Sequence, residues 1–187
     1  MRQFYAGLLA VLCFSSLPAC SFQSTLDKMV KPERQREIID IAQRFCTDPT
    51  SVKRDMHPEI TATLDTAIPA LPRECPPAGA SWELASYKWN SNVTAGLSER
   101  QEEVVVVGSA PGKWSTVEVR FYARNDEPAR IVYWRVVASK TRPPALEFIE
   151  GYNRTVEIAR IAVPVALLAI AALVVWLVRR QRAKRAA

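Results

Sequence analysis

The C-terminal part of the chain joins a long apolar run to a cluster of positive charge. From Ile161 to Val178 the sequence IAVPVALLAIAALVVWLV contains no charged or amide side chain. An α-helix of this length extends about 27 Å, close to the ~30 Å hydrocarbon core of a bilayer. The sequence therefore predicts a transmembrane helix over 161–178, and the remaining chain must fold on one or both sides of that membrane.

The basic tail that follows predicts the orientation of the helix. The segment 179–187 (RRQRAKRAA) carries its cations immediately after the apolar run. Lys and Arg beside a transmembrane helix stay on the cytoplasmic side. We therefore expect a cytoplasmic C-terminus and a main domain outside the cytoplasm. The residues that set this topology are Arg179, Arg180, Arg182, Lys184 and Arg185.

The N-terminus resembles a secretory signal. Arg2 precedes an apolar stretch, Phe4 to Leu12, that is too short to span a bilayer. The following residues, Leu17-Pro18-Ala19-Cys20, resemble the lipobox of bacterial lipoproteins. The resemblance implies a signal peptide over 1–19, a lipid on the Cys20 thiol, and a periplasmic domain attached to the bacterial inner membrane. Ordinary cleavage nearby and a retained N-terminal segment are the alternatives.

The net charge does not indicate nucleic-acid binding. The chain carries a formal charge of +6, of which the tail supplies five and Arg2 one. The other 19 Lys and Arg residues balance the 19 acidic residues, all of which lie between Ser21 and Arg160. Nucleic-acid-binding domains carry a basic stripe on the folded surface. We therefore expect no nucleic-acid partner; the expected partners are a membrane and another envelope protein.

Two cysteines remain for the exported domain. Cys13 leaves with the signal peptide, and Cys20 is the lipid site, so Cys46 and Cys75 form an even pair. A pair of this kind in an oxidising compartment predicts a disulfide. A metal or thiol site is the alternative, but His57 is the single histidine and the spacing is not that of a zinc finger. We expect neither a metal nor another cofactor.

The apolar period changes from helical to alternating along the chain. Pro32 begins a helix with apolar residues on one face, and a second helical stretch runs from Ser51 to Pro69 with a break at His57-Pro58. The proline-rich segment 69–79 is expected to be irregular. Strands are then predicted over 81–89, 101–107, 114–123 and 129–138. The predicted fold is α+β, with N-terminal helices packed on a curved antiparallel four-stranded meander.

The expected domain organisation follows from these elements. It comprises a linker over 20–31, a periplasmic α+β domain over 32–139, and a juxtamembrane linker or helix over 140–160, interrupted near Gly151. In the third strand, alternation places Glu118, Arg120 and Tyr122 on one face. In the fourth, it places Ile131 and Tyr133 opposite Trp134.

The order of helices and strands resembles the cone-shaped fold of the nuclear-transport-factor-2-like superfamily over residues 32–139. The strand pair WSTVEVRFY and IVYWRVV carries the resemblance. Ketosteroid isomerases of that superfamily hold Tyr and Asp in the cone, and the nearest types here are Asp55, Glu118, Tyr122 and Tyr133. Glu118 and Tyr122 share their face with Arg120, which indicates a solvated or partner-facing surface. No nucleophile motif is present, and we expect a protein that is not an enzyme.

Aromatic and charged side chains on the strands are the candidate partner or ligand surface. The alternative is that the aromatic side chains fill the core. The expected function is a non-enzymatic accessory subunit of a cell-envelope complex. One alternative is a tether between two membranes, because an N-terminal lipid with one C-terminal span resembles the unimolecular spanins of phages; another is a small-molecule-binding cone. The surface residues are Trp82, Trp89, Trp114, Glu118, Arg120, Tyr122, Tyr133 and Trp134.

Overall fold

A computed structural model describes the backbone of residues 21–186 and the side chains of that range except 182 and 184–186. The expected signal peptide over 1–19 and the lipid site Cys20 lie outside the described residues, as do the side chains of Arg182, Lys184 and Arg185. The described chain forms two compact units. One is Leu26–Ile149; the other takes in the chain before Leu26 and after Ile149.

Short helices precede the sheet. Pro32 occupies the first turn of the longest of them, where its missing N–H and fixed φ suit a helix start. Asp48 caps the next helix by accepting a hydrogen bond from the Ser51 backbone N–H at 3.3 Å. In chain order the helices are α1 (Phe22–Met29), α2 (Pro32–Thr47), α3 (Pro49–Val52), 3-10 turns at Lys53–Asp55 and Pro58–Ile60, α4 (Thr61–Ala67) and α5 (Leu71–Glu74).

The four strands that follow form one antiparallel meander, in spatial order β1-β2-β3-β4. This confirms the predicted α+β class. β1 and β2 are longer than predicted, because the polar segment between them continues to exchange backbone hydrogen bonds up to the Thr94–Leu97 pair. Hydrophobic alternation does not mark such a solvated hairpin. The strands are β1 (Ser81–Thr94), β2 (Leu97–Ala110), β3 (Lys113–Arg124) and β4 (Arg130–Ser139).

The core lies between α2 and one side of the sheet, here called the inner face. Phe45 of α2 is fully buried and stacks on Trp134 of β4, with ring centroids 5.2 Å apart. The opposite side, the outer face, is covered at one end by Leu146, which packs against Ala85 and Val107. Buried inner-face residues of the central strands are Val104, Val106, Val117, Val119, Phe121 and Ala123.

The last element is one long helix, α6 (Pro144–Ala186). Its part Pro144–Gln181 is long and apolar enough to cross a membrane. This confirms a C-terminal helix that could cross a membrane, by its length and composition alone. The helix passes through Gly151 without the expected interruption, since one glycine inside a helix costs only about 1 kcal/mol.

Three local expectations are wrong. Residues 20–31 were expected to be a linker, but α1 occupies most of them and buries Leu26. The segment 69–79 was expected to be irregular, but it contains α5, in which Pro72 falls within the first turn, where proline is tolerated. Ile131 is fully buried opposite Phe121, on the same inner face as Trp134, because the β3–β4 register shifts at Arg120/Phe121.

Candidate interaction site

Other parts of the chain cover both ends of the β4 edge of the sheet, which is here called the sealed edge. The His57 N–H donates to the Ile131 carbonyl at 2.8 Å, and Met56 forms a parallel bridge with Ile131. At the other end of the strand, the Glu74 carboxylate accepts a hydrogen bond from the Ala138 N–H at 2.7 Å. Near each end of β4, a backbone group that a further strand would need is therefore already occupied.

The segment that seals this edge is fixed by the disulfide. The Cys46 and Cys75 sulfurs are bonded, with Cα atoms 5.5 Å apart, which confirms the predicted pairing. The bond joins the last turn of α2 to the residue after α5. Beside it, the Ser115 hydroxyl donates to the Glu74 carbonyl at 2.7 Å. The disulfide therefore holds Glu74 where it covers the β4 edge.

The opposite edge, formed by β1, is open. Within residues 21–186, the backbone of β1 exchanges hydrogen bonds with β2 and with no other element. A bulge lies between Leu84 and Ser86, and the pairing is regular from Ser86 to Thr94. Trp89 and Val93 in this regular part are 60% and 73% exposed. A long exposed strand edge of this kind is a template for another strand.

A groove of about 720 Å³ opens beside the inner face of β1. Helical residues form one wall and the strands form the other. Trp89 borders it, and so does Tyr87, whose pKa is raised by burial and then by the nearby Glu102 charge. The lining residues are Met29, Val30, Lys31, Arg34, Glu37, Asp55, Tyr87, Trp89, Arg100, Glu102, Pro128, Ala129 and Arg130.

A buried carboxylate lies in the groove wall. Glu102 is only 6% exposed, and it accepts hydrogen bonds from Arg34 Nε and Nη2 at 3.1 and 2.7 Å. Arg34 also pairs with Glu37 at 2.8 Å, and its guanidinium lies 4.7 Å from the centre of the Phe121 ring. Burial alone would lower the pKa of Arg34, but the hydrogen bonds to Glu37 and Glu102 raise it above its ordinary value. Arg34 therefore stays charged and holds Glu102 with two hydrogen bonds.

The charges lining the groove are unevenly compensated. The remaining acid, Asp55, pairs with Arg44 Nη2 at 2.7 Å, so each acid of the lining contacts an arginine. Among the described residues, no carboxylate lies within ion-pair distance of Lys31 or Arg130. The Arg130 side chain donates to the Arg54 carbonyl at 2.5 Å. The groove therefore presents uncompensated positive charge.

The candidate surface residues do not form one surface. On the inner face, Trp82 packs on Gly108, where a Cβ would approach the ring within 2.8 Å, and Trp134 stacks on Phe45. Only Trp89 of this group borders the groove. Strand register places the others on the outer face: Trp114, Glu118, Arg120, Tyr122 and Tyr133.

Two of the outer-face residues, Arg120 and Tyr122, contact acids of the neighbouring strand β2. Arg120 pairs with Glu103 at 2.9 Å and lies 5.4 Å from the centre of the Tyr133 ring. The Tyr122 hydroxyl donates to Glu99 at 2.6 Å, and this hydrogen bond, followed by burial, raises the pKa of Tyr122. The hollow among them, about 120 Å³, is much smaller than the groove. On this face, Arg120 and Tyr122 are thus paired with acids of β2.

Sequence reasoning missed the residues that define the groove. Lys31 lies in the segment that the sequence predicts as a linker, and Arg34 and Arg130 carry no motif. The one available signal was Glu102, which alternation from Val104 and Val106 places on the inner face of β2. A buried acid requires a cationic partner, although the sequence does not identify which one.

The metal alternative for the cysteines is not supported. Both cysteines are consumed by the disulfide. Among the described residues, no group of three or more His, Cys, Asp and Glu side chains is placed to hold a metal ion. His57 instead accepts a long hydrogen bond from the Glu59 N–H at 3.5 Å, at the start of a 3-10 turn.

In the second unit, the N-terminal residue Phe22 contacts the first part of α6. The Phe22 N–H donates to the Asn153 side-chain oxygen at 2.8 Å. The Phe22 and Tyr152 rings meet edge to face, with centroids 6.3 Å apart. The residue two positions after Cys20 is therefore bound to α6 just before its apolar run.

No family model matches the chain, and no curated protein or solved structure matches it. The resemblances to the nuclear-transport-factor-2-like cone and to spanins stay predictions.

Proposed function

We propose that this chain is a non-enzymatic interaction module, held in the bacterial inner membrane as an accessory subunit of a cell-envelope complex. Its α+β domain lies in the periplasm and its basic tail in the cytoplasm. The observation that carries the proposal is the open β1 edge beside a charged groove, on a sheet whose other edge is sealed. A module of this kind binds another protein through the open edge.

An open edge is unusual enough to favour a partner. Natural sheets shield their edges with bulges, prolines, charges or covering segments, because an exposed edge invites aggregation. β4 is covered in this way, whereas the segment Ser86–Thr94 of β1 contains no proline and one charged residue, Lys88. Strand addition to an exposed edge is a common mode of peptide recognition.

The contact between Phe22 and Asn153 favours two anchors in one membrane. Cys20 lies two residues before Phe22, so a lipid on Cys20 is within about 7 Å of chain from Phe22. Asn153 precedes the apolar run at Ile161 by about 12 Å of helix rise. A lipid there enters the same bilayer as the helix, whereas a tether between two membranes would have to break this contact.

Site-specific photocrosslinking in intact cells tests the proposed function. A photoreactive residue at Val93 is expected to crosslink the full chain to one defined envelope protein. The same residue at Glu118, on the outer face, is the matched control and is expected to give no such product. Equal products at both positions, or none at Val93, would remove the edge as the interaction site.

Fractionation and a reporter test the membrane assignment. We expect the full chain only in inner-membrane fractions, and a reporter fused after Ala187 to be active in the cytoplasm. Lipid-modified Cys20 in the outer membrane, with α6 in the inner membrane, would instead support the spanin-like tether.

A second candidate function is small-molecule binding in the groove. Its volume of about 720 Å³ lies within the range of ligand sites, roughly 300–1,000 Å³. Native mass spectrometry of the gently solubilised protein tests this candidate. A retained small molecule that the Trp89→Ala variant loses would support it; an unliganded mass in both would reject it.

A further inference from the structure

We infer that the segment bound at the β1 edge is an extended acidic peptide, which adds as a fifth strand along Ser86–Thr94 and directs alternate side chains into the groove. The inference deepens the proposed function, because it names the chemistry of the partner at the same edge. It rests on the backbone of β1, the walls of the groove and their charges.

The backbone of β1 offers a defined place for such a strand. The bulge between Leu84 and Ser86 interrupts the regular pattern of the strand, so a neighbour pairs best beyond it. From Ser86 to Thr94 the register with β2 is continuous, and from Lys88 onward each of these residues is exposed. An added strand here gains main-chain hydrogen bonds without displacing any element of unit Leu26–Ile149.

The groove selects apolar side chains at alternate positions. Tyr87 and Trp89 point to the inner face, as their pairing with Val104 and Glu102 shows. Met29, which is 59% exposed, and Val30 line the same groove. In a strand added beside β1, every second side chain lies next to Tyr87 and Trp89. Apolar or aromatic residues fit these positions.

The charges of the groove select an acidic partner. The acids of the lining are paired with arginines, while Lys31 and Arg130 have no carboxylate within ion-pair distance among the described residues. Carboxylates on a bound peptide would compensate this charge, and lysines would be repelled.

A second copy of the chain fits the edge less well. Two β1 edges paired over Ser86–Thr94 would bring together segments of sequence SYKWNSNVT, which contain no acid. Such a pairing leaves the groove cations uncompensated and adds a second Lys88. Charge complementarity therefore favours a different, acidic chain.

The test uses the full-length protein in nanodiscs and a phage-displayed library of random peptides. The expected result is enrichment of peptides in which Asp or Glu alternates with apolar or aromatic residues. Hydrogen exchange with an enriched synthetic peptide is expected to show new protection within 86–94. The double variant Lys31→Glu/Arg130→Glu is expected to lower the affinity for that peptide by about tenfold or more.

Two further variants keep the result interpretable. Arg135→Glu, a single charge reversal on the exposed outer face, is the control and is expected to change affinity less than about twofold. If the double charge reversal does not fold, Lys31→Gln/Arg130→Gln replaces it, with a smaller loss of affinity expected.

Several outcomes would overturn the inference. These are no enrichment, enrichment of basic or neutral peptides, protection outside β1, and an affinity that the groove variants do not change. Concentration-dependent dimerisation that protects 86–94 without peptide would assign the edge to a second copy. A partner crosslinked at Val93 together with any of these results would retain the proposed function and reject only the acidic strand.

Discussion

The two edges of the sheet differ in how the chain treats them. At β4, Glu74 accepts the Ala138 N–H, His57 donates to Ile131, and the disulfide fixes the segment that carries Glu74. At β1, the backbone of the regular segment Ser86–Thr94 exchanges hydrogen bonds with β2 and with no other described element.

This difference assigns stability to the β4 edge and partner binding to the β1 edge. Contacts at the β4 edge join residues far apart in sequence and close the core. The β1 edge borders the groove. The acids of the groove are paired with arginines, but Trp89, which lines it, is 60% exposed. Substitutions at the two edges are therefore expected to differ in kind: those at β4 change the free energy of unfolding, and those at β1 change binding.

Removal of the disulfide is expected to have the largest effect. Cys46→Ser/Cys75→Ser should lower the free energy of unfolding by about 3.5 kcal/mol, the chain-entropy value for a sequence separation of 29. Urea unfolding measures the loss. Hydrogen exchange should accelerate first at the Ala138 amide, because Glu74 is released. Faster exchange confined to β1 would contradict the assigned role of the bond.

Matched tryptophan substitutions compare the two edge strands directly. Trp134→Ala should cost about 3 kcal/mol of unfolding free energy, because Trp134 stacks on Phe45 and donates to Thr63 at 3.2 Å. Trp89→Ala should cost less than about 0.5 kcal/mol, since its side chain is 60% exposed. Both values come from urea unfolding. Similar costs at the two positions would mean that the edges do not differ in packing.

Removal of the Arg34–Glu102 pair tests whether the groove wall is as buried as the core. Arg34→Met should lower the free energy of unfolding by about 2 kcal/mol, because it leaves the buried Glu102 with only Arg100 at 3.4 Å. Arg36→Met, on the exposed side of α2, is the control and should change it by less than about 0.5 kcal/mol. If Arg34→Met matches the control, Glu102 is solvated and the groove is shallower than described.

The smallest expected effect is the titration of Tyr87. Its pKa is raised by burial and by the Glu102 charge, so the folded state keeps the phenol proton to a higher pH than the unfolded state does. The associated stability is present below the ordinary tyrosine pKa of about 10 and is lost as the pH rises through the folded-state value. Near-ultraviolet absorbance measures the titration. Tyr87→Phe should remove this late-titrating phenol, and Glu102→Gln should lower the pKa of Tyr87.

Hydrophobic alternation predicts the buried face of some strands but not of others. Alternation along Val117, Val119 and Phe121 was enough to identify β3 and its buried face, because a strand side chain points to the opposite side from its neighbours. The same rule failed at Ile131, since a register shift is a property of the strand pair. The aromatic residues of the strands share one candidate surface in the sequence prediction, whereas Trp82 and Trp114 lie on opposite faces of the sheet.

The sequence by itself determined the elements that depend on local pattern and covalent chemistry. These are the α+β class, the order of helices before strands, the Cys46–Cys75 bond, and a helix long and apolar enough to cross a membrane. Only the tertiary structure decided which edge is sealed and which charges of the groove are compensated. The physical reason is distance along the chain: Glu74 meets Ala138 across 64 residues, and Arg34 meets Glu102 across 68. Such pairings exist only after the whole sheet and its helices are in place.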